Sequence, residues 1–184
     1  MDNKPKTVTP QHYERIGILN IDEVIAVIGE HFEAYGNKGK VDIAGYYVNV
    51  QSVRLRTFAH TGTACGCCGI QADYFAVERS PGNPKAGYHL NLWGKDDTGN
   101  EVLFTHDHII ARALGGKDDL SNTETMCGPC NWEKGKIEQK LLLFPENKAQ
   151  AIEELKAFKQ AKAQLKAMRN TLEPGHEISK FKMK

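Results

Sequence analysis

The sequence predicts a mixed α+β protein, and three observations carry that prediction. Strand-like segments occur at residues 46–50 and 88–105, apolar residues recur at helical spacing near both ends, and two Cys-x-x-Cys pairs bracket the middle. A chain of 184 residues with 40% hydrophobic content can bury a modest core in one or two domains.

Taken in order, residues 1–19 are polar with Pro5 and Pro10 and read as a loose arm or a short first helix. Asn20-Ile21-Asp22-Glu23 has the form of a capping box. Val24, Ile28, Phe32 and Tyr35 then follow at helical spacing, with Gly36 as the stop. Tyr46 to Val50 alternates like a strand, and Ser52 to His60 reads as a short helix because Ser52 can cap it and Leu55 and Phe58 lie three apart. Arg54 and Arg56 on that segment are either solvated charges or phosphate contacts. Tyr88 to Trp93 and Glu101 to Thr105 are strands joined through GKDDTGN, a turn-forming stretch, so a hairpin is expected. Gly115-Gly116 and Asp118-Asp119 mark a loop, Thr123 to Met126 a short strand, and Asn131 the opening of a helical run, NWEKGKIEQKLLL. Pro145 breaks the chain before one long helix, Lys148 to Thr171. Its apolar stripe includes Ile152, Leu155, Phe158 and Leu165, with lysines on other faces. That stripe needs a partner, either its own domain or a second subunit. Pro174-Gly175 ends the helix, and the residues after it, with Lys180, Lys182 and Lys184, read as a tail.

The pairs Cys65/Cys68 and Cys127/Cys130 each have the spacing that lets two thiolates of one tight turn reach neighbouring corners of a tetrahedron. Two such turns make a four-cysteine site. With four protein ligands the expected Zn2+ is structural, since no position stays open for water or substrate. The 58 residues between Cys68 and Cys127 must then fold as a module tied at its ends. Disulfides or buried free thiols are the alternative, and Cys67, outside the two-residue spacing, is a bystander.

Between the pairs lie Asp107-His108-Ile109, Gly115-Gly116, Asn122 fourteen residues after His108, and CGPCNWEKG with Asn131 nine after Asn122. In order and spacing this run, within about residues 61–140, resembles the HNH (His-Me finger) endonucleases, in the branch with a zinc-binding Cys-x-x-Cys pair on each side of the catalytic hairpin. Ala111 stands where many members have proline, and Ala113 where a small polar residue is frequent. The resemblance implies a ββα-metal core with a structural four-cysteine zinc site, flanked by an N-terminal helix and strand segment and a long C-terminal helix. The expected division is 1–60 for the N-terminal flank, 61–140 for the nuclease domain and 141–184 for the basic helix and tail.

By the same resemblance His108 is the general base, an imidazole titrating near neutrality that takes a proton from the attacking water. Asp107 and Asn131 hold one divalent cation, Mg2+ or Mn2+, as hard oxygen ligands would. Asn122 braces the loop and fixes the pose of His108. Lys134, Arg112, His106 and Lys136 are the expected nucleic-acid contacts. Each residue also has a plainer role: Asp107 or Asn131 as helix caps, His108 as a core histidine. In an extended strand His106 shares a face with His108 while Asp107 points away, so His106 is the geometric rival for the metal; the family pattern favours Asp107.

Composition agrees with a cytoplasmic enzyme: nothing resembles a signal peptide, and the longest apolar cluster, VIAVIG, is too short to span a membrane. The net charge of +1 divides into +5 for residues 133–184 and −4 for residues 1–132, which suits DNA as partner better than the total does. The expected activity is metal-dependent hydrolysis of DNA phosphodiester bonds. Nicking is the natural outcome of a single site, and the resemblance implies 5′-phosphate and 3′-hydroxyl products. The layout resembles stand-alone HNH proteins of bacteriophages, for which a homodimer or a phage or host protein partner is a further option. The alternatives are an inactive zinc module that binds nucleic acid or protein, and a nuclease acting on RNA or branched DNA.

Overall fold

A computed structural model describes residues 13–32, 40–83 and 85–172. The readings made above for residues 1–12, for Tyr35 and Gly36 and for the tail after Leu172 fall outside them. Among the described residues seven strands and four helices follow in the order β1 (Glu14–Leu19), α1 (Ile21–Glu30), β2 (Lys40–Ile43), β3 (Tyr46–Asn49), α2 (Val53–Thr61), β4 (Ala72–Arg79), β5 (His89–Lys95), β6 (Glu101–His108), β7 (Thr123–Cys127), α3 (Gly128–Leu143) and α4 (Lys148–Leu172). The fold is mixed α+β with a long C-terminal helix. β1-β4-β5-β6-β7 form one antiparallel sheet in that order, and β2 and β3 form a separate hairpin.

The sheet turns one face to α1 and α2. Phe75 and Val77 of β4, Leu92 of β5 and Phe104 of β6 meet Val24 and Ile28 of α1 and Phe58 of α2, all fully buried. The two predicted caps form: Asn20 accepts from the amides of Asp22 and Glu23, and Ser52 from that of Leu55. α1 stops at Glu30, earlier than its apolar spacing suggested.

Residues 14–19 are neither an arm nor a helix. They form the edge strand β1, paired with β4, where Gly17 lets the Tyr46 hydroxyl approach to 2.6 Å from the place a Cβ would occupy. The N-terminal flank therefore shares a sheet with the cysteine-bracketed module. Helix α3 starts at Gly128, three residues before the expected Asn131, because Cys127 takes the N-cap position and Pro129 suits the first turn. Helix α4 spans the predicted stretch and covers its own domain: Ala151 and Phe158 are buried, and Leu155 and Leu165 pack on the core. Several of its cations are engaged rather than solvated. Lys162 pairs with Glu133 at 2.9 Å, Lys166 donates to the Gly66 carbonyl at 3.2 Å, and Arg169 reaches the Cys68 carbonyl and Asp97. No described helix is long and apolar enough to cross a membrane.

Candidate active site and metal centre

The first cysteine turn is built by the chain folding back on itself. Cys65 N donates to Ile70 O at 2.8 Å and Gly69 N to Cys65 O at 2.9 Å, with Gly69 in the left-handed region at φ 79°. Gly66 N then bonds Thr125 O at 2.8 Å, which docks this turn onto β7. The second pair is the junction of β7 and α3. Cys65, Cys68, Cys127 and Cys130 are all buried, and their sulfurs lie within 4.8 Å of one another. Cys68 Sγ and Cys127 Sγ are 3.8 Å apart. A disulfide needs about 2.05 Å. Zn–S bonds of about 2.3 Å in a tetrahedron place the sulfurs about 3.8 Å apart, so the cluster has the dimensions of a four-cysteine zinc site. Hydrogen bonds to Cys127 and Cys130 hold the Cys65 thiol far below its usual range, and the one to Cys127 lowers Cys68 to about 6. The thiol of Cys130 is pushed up by the same crowd of sulfurs, Cys127 first. All four as thiolates would need a dication among them, and the N-terminus of α3 adds its positive end. Cys67 stands outside the four.

β6 and β7 carry the second cluster. Their register pairs His108 with Thr123, Asp107 with Glu124 and His106 with Thr125, so residues of a pair share a face. The His106/His108 face is packed by α2, where Thr57 bonds Thr123 and Thr61 bonds Thr125, each at 2.9 Å. The Asp107 face is crossed by α3: Asn131 Nδ2 donates to Thr105 Oγ1 at 2.7 Å, and Lys134 Nζ donates to Asp107 Oδ2 at 2.5 Å. Asp107 faces the helix that carries Asn131, and His106 does not. Among the described residues neither Asp107 Oδ1 nor Asn131 Oδ1 accepts a hydrogen bond. These two hard oxygens fit Mg2+ or Mn2+ by chemistry.

His108 lies at the strand end with a 14% exposed side chain, and its Nε2 is 2.9 Å from Asp118 Oδ1. The hydrogen bond from His108, then the charge of Arg112, hold the Asp118 carboxyl below its usual range. His106 stacks edge-on against His108 with ring centroids 5.9 Å apart, and burial, then the charges of His108 and Arg54, lower its pKa. Arg54 is no solvated charge: it donates to Leu90 O at 3.1 Å, beyond the point where the β5–β6 ladder ends at Trp93 and Leu103.

The loop between β6 and β7 is closed by Asn122. Its Oδ1 accepts from Ile110 N at 3.0 Å, and its Nδ2 donates to Ile110 O at 2.9 Å and Lys117 O at 2.8 Å. The glycine pair is needed for the same closure. Gly115 has φ 91°, and a Cβ on Gly116 would stand 1.8 Å from Ile110 O and 2.8 Å from Asn122 Nδ2. Gly116→Ala is expected to lower unfolding free energy by about 1–3 kcal/mol, as forced overpacking does, read from urea titration.

Residues 94–142, which carry most of this geometry, match the HNH endonuclease family. No curated protein and no solved structure matches. The HNH segment runs from the end of β5 through β6 and β7 nearly to the end of α3. It contains His106, Asp107, His108, Asn122, Asn131 and the second cysteine pair; the first pair and α2 lie outside it.

Lys134 is placed differently from the phosphate contact expected of it. Its side chain is 3% exposed and its ammonium faces Asp107 and Glu138, the latter at 3.0 Å. Their hydrogen bonds and charges outweigh the burial that alone would lower its pKa, and hold it above its usual value. Arg112 is exposed near Asp118, and Lys136 lies 3.3 Å from the ring centre of the exposed Trp132. Sequence reading missed the roles of Asp118, Glu138 and Arg54. Asp118 follows the glycine pair in a loop that reads only as turn-forming, and Glu138 had a signal in its i, i+4 spacing from Lys134.

Proposed function

We propose that this protein is a metal-dependent endonuclease that hydrolyses DNA phosphodiester bonds, with the HNH segment as its catalytic part. The reading is carried by one observation. At the end of the β6–β7 hairpin, whose loop Asn122 closes, Asp107 lies against the helix of Asn131 and His108 is the next residue. His108 accepts the proton of the attacking water, and Asn122 acts through the loop to hold its pose. Asp107 and Asn131 hold one Mg2+ or Mn2+, which supplies charge stabilisation at the scissile phosphate. Arg112, His106 and Lys136 contact the nucleic acid around it, whereas Lys134 serves from within. One such site per chain nicks, leaving 5′-phosphate and 3′-hydroxyl ends. We place the enzyme in the cytoplasm, whose reducing conditions keep zinc thiolates intact. Residues 61–140 are its catalytic domain, with residues 1–60 and 141–184 as flanks.

The test is incubation of purified protein with supercoiled plasmid in Mg2+ or Mn2+, with and without EDTA. Relaxed circles that form with metal and not with EDTA are the expected result, with ends that a ligase can reseal. A clean protein that cuts neither DNA nor RNA under any metal would leave a zinc-stabilised binding module as the function.

A further inference from the structure

The buried ammonium of Lys134 has three N–H groups and meets three acceptors: Asp107 Oδ2 at 2.5 Å, His108 O at 2.6 Å and Glu138 Oε1 at 3.0 Å. Nothing in that arrangement is left over for a phosphate. The side chains of Asp107, Lys134 and Glu138 are 14%, 3% and 13% exposed, so the triad is set inside the protein rather than on its surface. Two of its three contacts fall on consecutive residues of β6. One is the carboxylate read above as a cation ligand, the other the main-chain carbonyl of the residue read as the base. From these contacts we infer that Lys134 is a positioning residue, a clamp that fixes Asp107 and the His108 backbone to α3 and leaves Asp107 Oδ1 as the oxygen presented to the divalent cation.

The clamp rests on the proposed nuclease reading for its purpose, and its geometry states how that site is ordered. Asn131 and Lys134 lie three residues apart on α3, hence on one face, so the helix that offers the second oxygen also sets the pose of the first. Glu138, one turn further, holds the lysine at its far side. Free rotation of Asp107 would let either oxygen face the ion, or both. With Oδ2 held by Lys134 only one remains, in one orientation. Outer partners that orient a metal ligand in this way are worth about 10–100-fold in metal affinity or activity.

The test compares the wild-type chain with Lys134→Met/Glu138→Gln, which removes one positive and one negative charge together and so leaves the local net charge unchanged. Mn2+ affinity is read by electron paramagnetic resonance titration, and kcat and KM on plasmid by nicking assay. The clamp predicts that the Mn2+ Kd rises about tenfold or more and that kcat at saturating Mn2+ falls about 10–100-fold, with KM for plasmid within about twofold. A raised KM with unchanged Mn2+ affinity would make Lys134 a phosphate contact after all and overturn the clamp, as would unchanged Kd and kcat together. If circular dichroism shows the double variant unfolded, Glu138→Gln alone, which keeps the ammonium and weakens one of its three holds, decides by the same titration: a raised Mn2+ Kd supports the clamp and an unchanged one overturns it. A wild-type chain that binds Mn2+ but cuts nothing removes the nuclease reading while the titration still decides the clamp. One that binds no Mn2+ removes both.

Discussion

Cys130→Ala is expected to unfold the cysteine-bracketed module rather than loosen one ligand of it. Cys127 and Cys130 lie at the junction of β7 and α3, and Cys65 and Cys68 close the turn docked on β7 through Gly66. The four sulfurs therefore join segments about sixty residues apart at the point where hairpin meets helix. Structural zinc in small modules contributes about 10–16 kcal/mol of apparent binding free energy near neutral pH. A whole domain has only about 5–15 kcal/mol of net stability. Such an ion would be worth as much as the fold, and losing one thiolate would forfeit most of it. Zinc per chain, measured by mass spectrometry, should fall from one toward zero in Cys130→Ala. Far-ultraviolet circular dichroism should lose its cooperative melt, and prolonged chelation should do the same to the wild-type chain. A Cys130→Ala protein that melts at the wild-type temperature without zinc would show that the sulfurs are merely buried. Cys67→Ala, outside the cluster, should keep both zinc and melt.

What could be read from the sequence was chemistry with short spacing. The two cysteine turns, the caps Asn20 and Ser52, the hairpin that ends at His108 and the long last helix are all encoded within a few neighbouring residues, and each forms. Strand β1 was missed because its pattern is visible only from its partner: Gly17 and a register shift between Arg15 and Gly17 break the alternation, and pairing with β4 restores it. β4 itself, ADYFAVER, supplies Phe75 and Val77 to the core, and Ser80-Pro81-Gly82-Asn83 directly after it is a turn signal that joins it to β5, so this hairpin was legible and went unread. The polar ladder Thr57, Thr61, Thr123 and Thr125 looks like surface in a sequence. In the fold its hydroxyls satisfy one another while pinning α2 behind the histidines. Lys134 is the sharpest case. A lysine one turn after Asn131 suggests a charge offered to substrate, and only the packing of α3 on β6 reveals that its charge is spent on Asp107 and Glu138.

His108→Ala should lower the rate of plasmid nicking by about 10²–10⁴-fold, the usual contribution of a general base, while Mn2+ affinity and zinc content stay at wild-type values. The separation follows from the two faces of β6. His108 turns toward α2 and the Asp118 loop, whereas the oxygens read as cation ligands are on the α3 side, so trimming the imidazole leaves them in place. Asn122→Ala should give a loss of similar kind by a different route. It removes the bonds to Ile110 N, Ile110 O and Lys117 O, leaving the loop without its closure and the strand end free to move. It should therefore lower the melting temperature as well, which His108→Ala, at a partly exposed strand end, should do far less. Nicking, melting and Mn2+ titration on both variants separate the base from its brace. Nicking by His108→Ala at the wild-type rate would move the base elsewhere, and His106, stacked against His108 and held toward its neutral form by burial, is the residue the structure offers in its place.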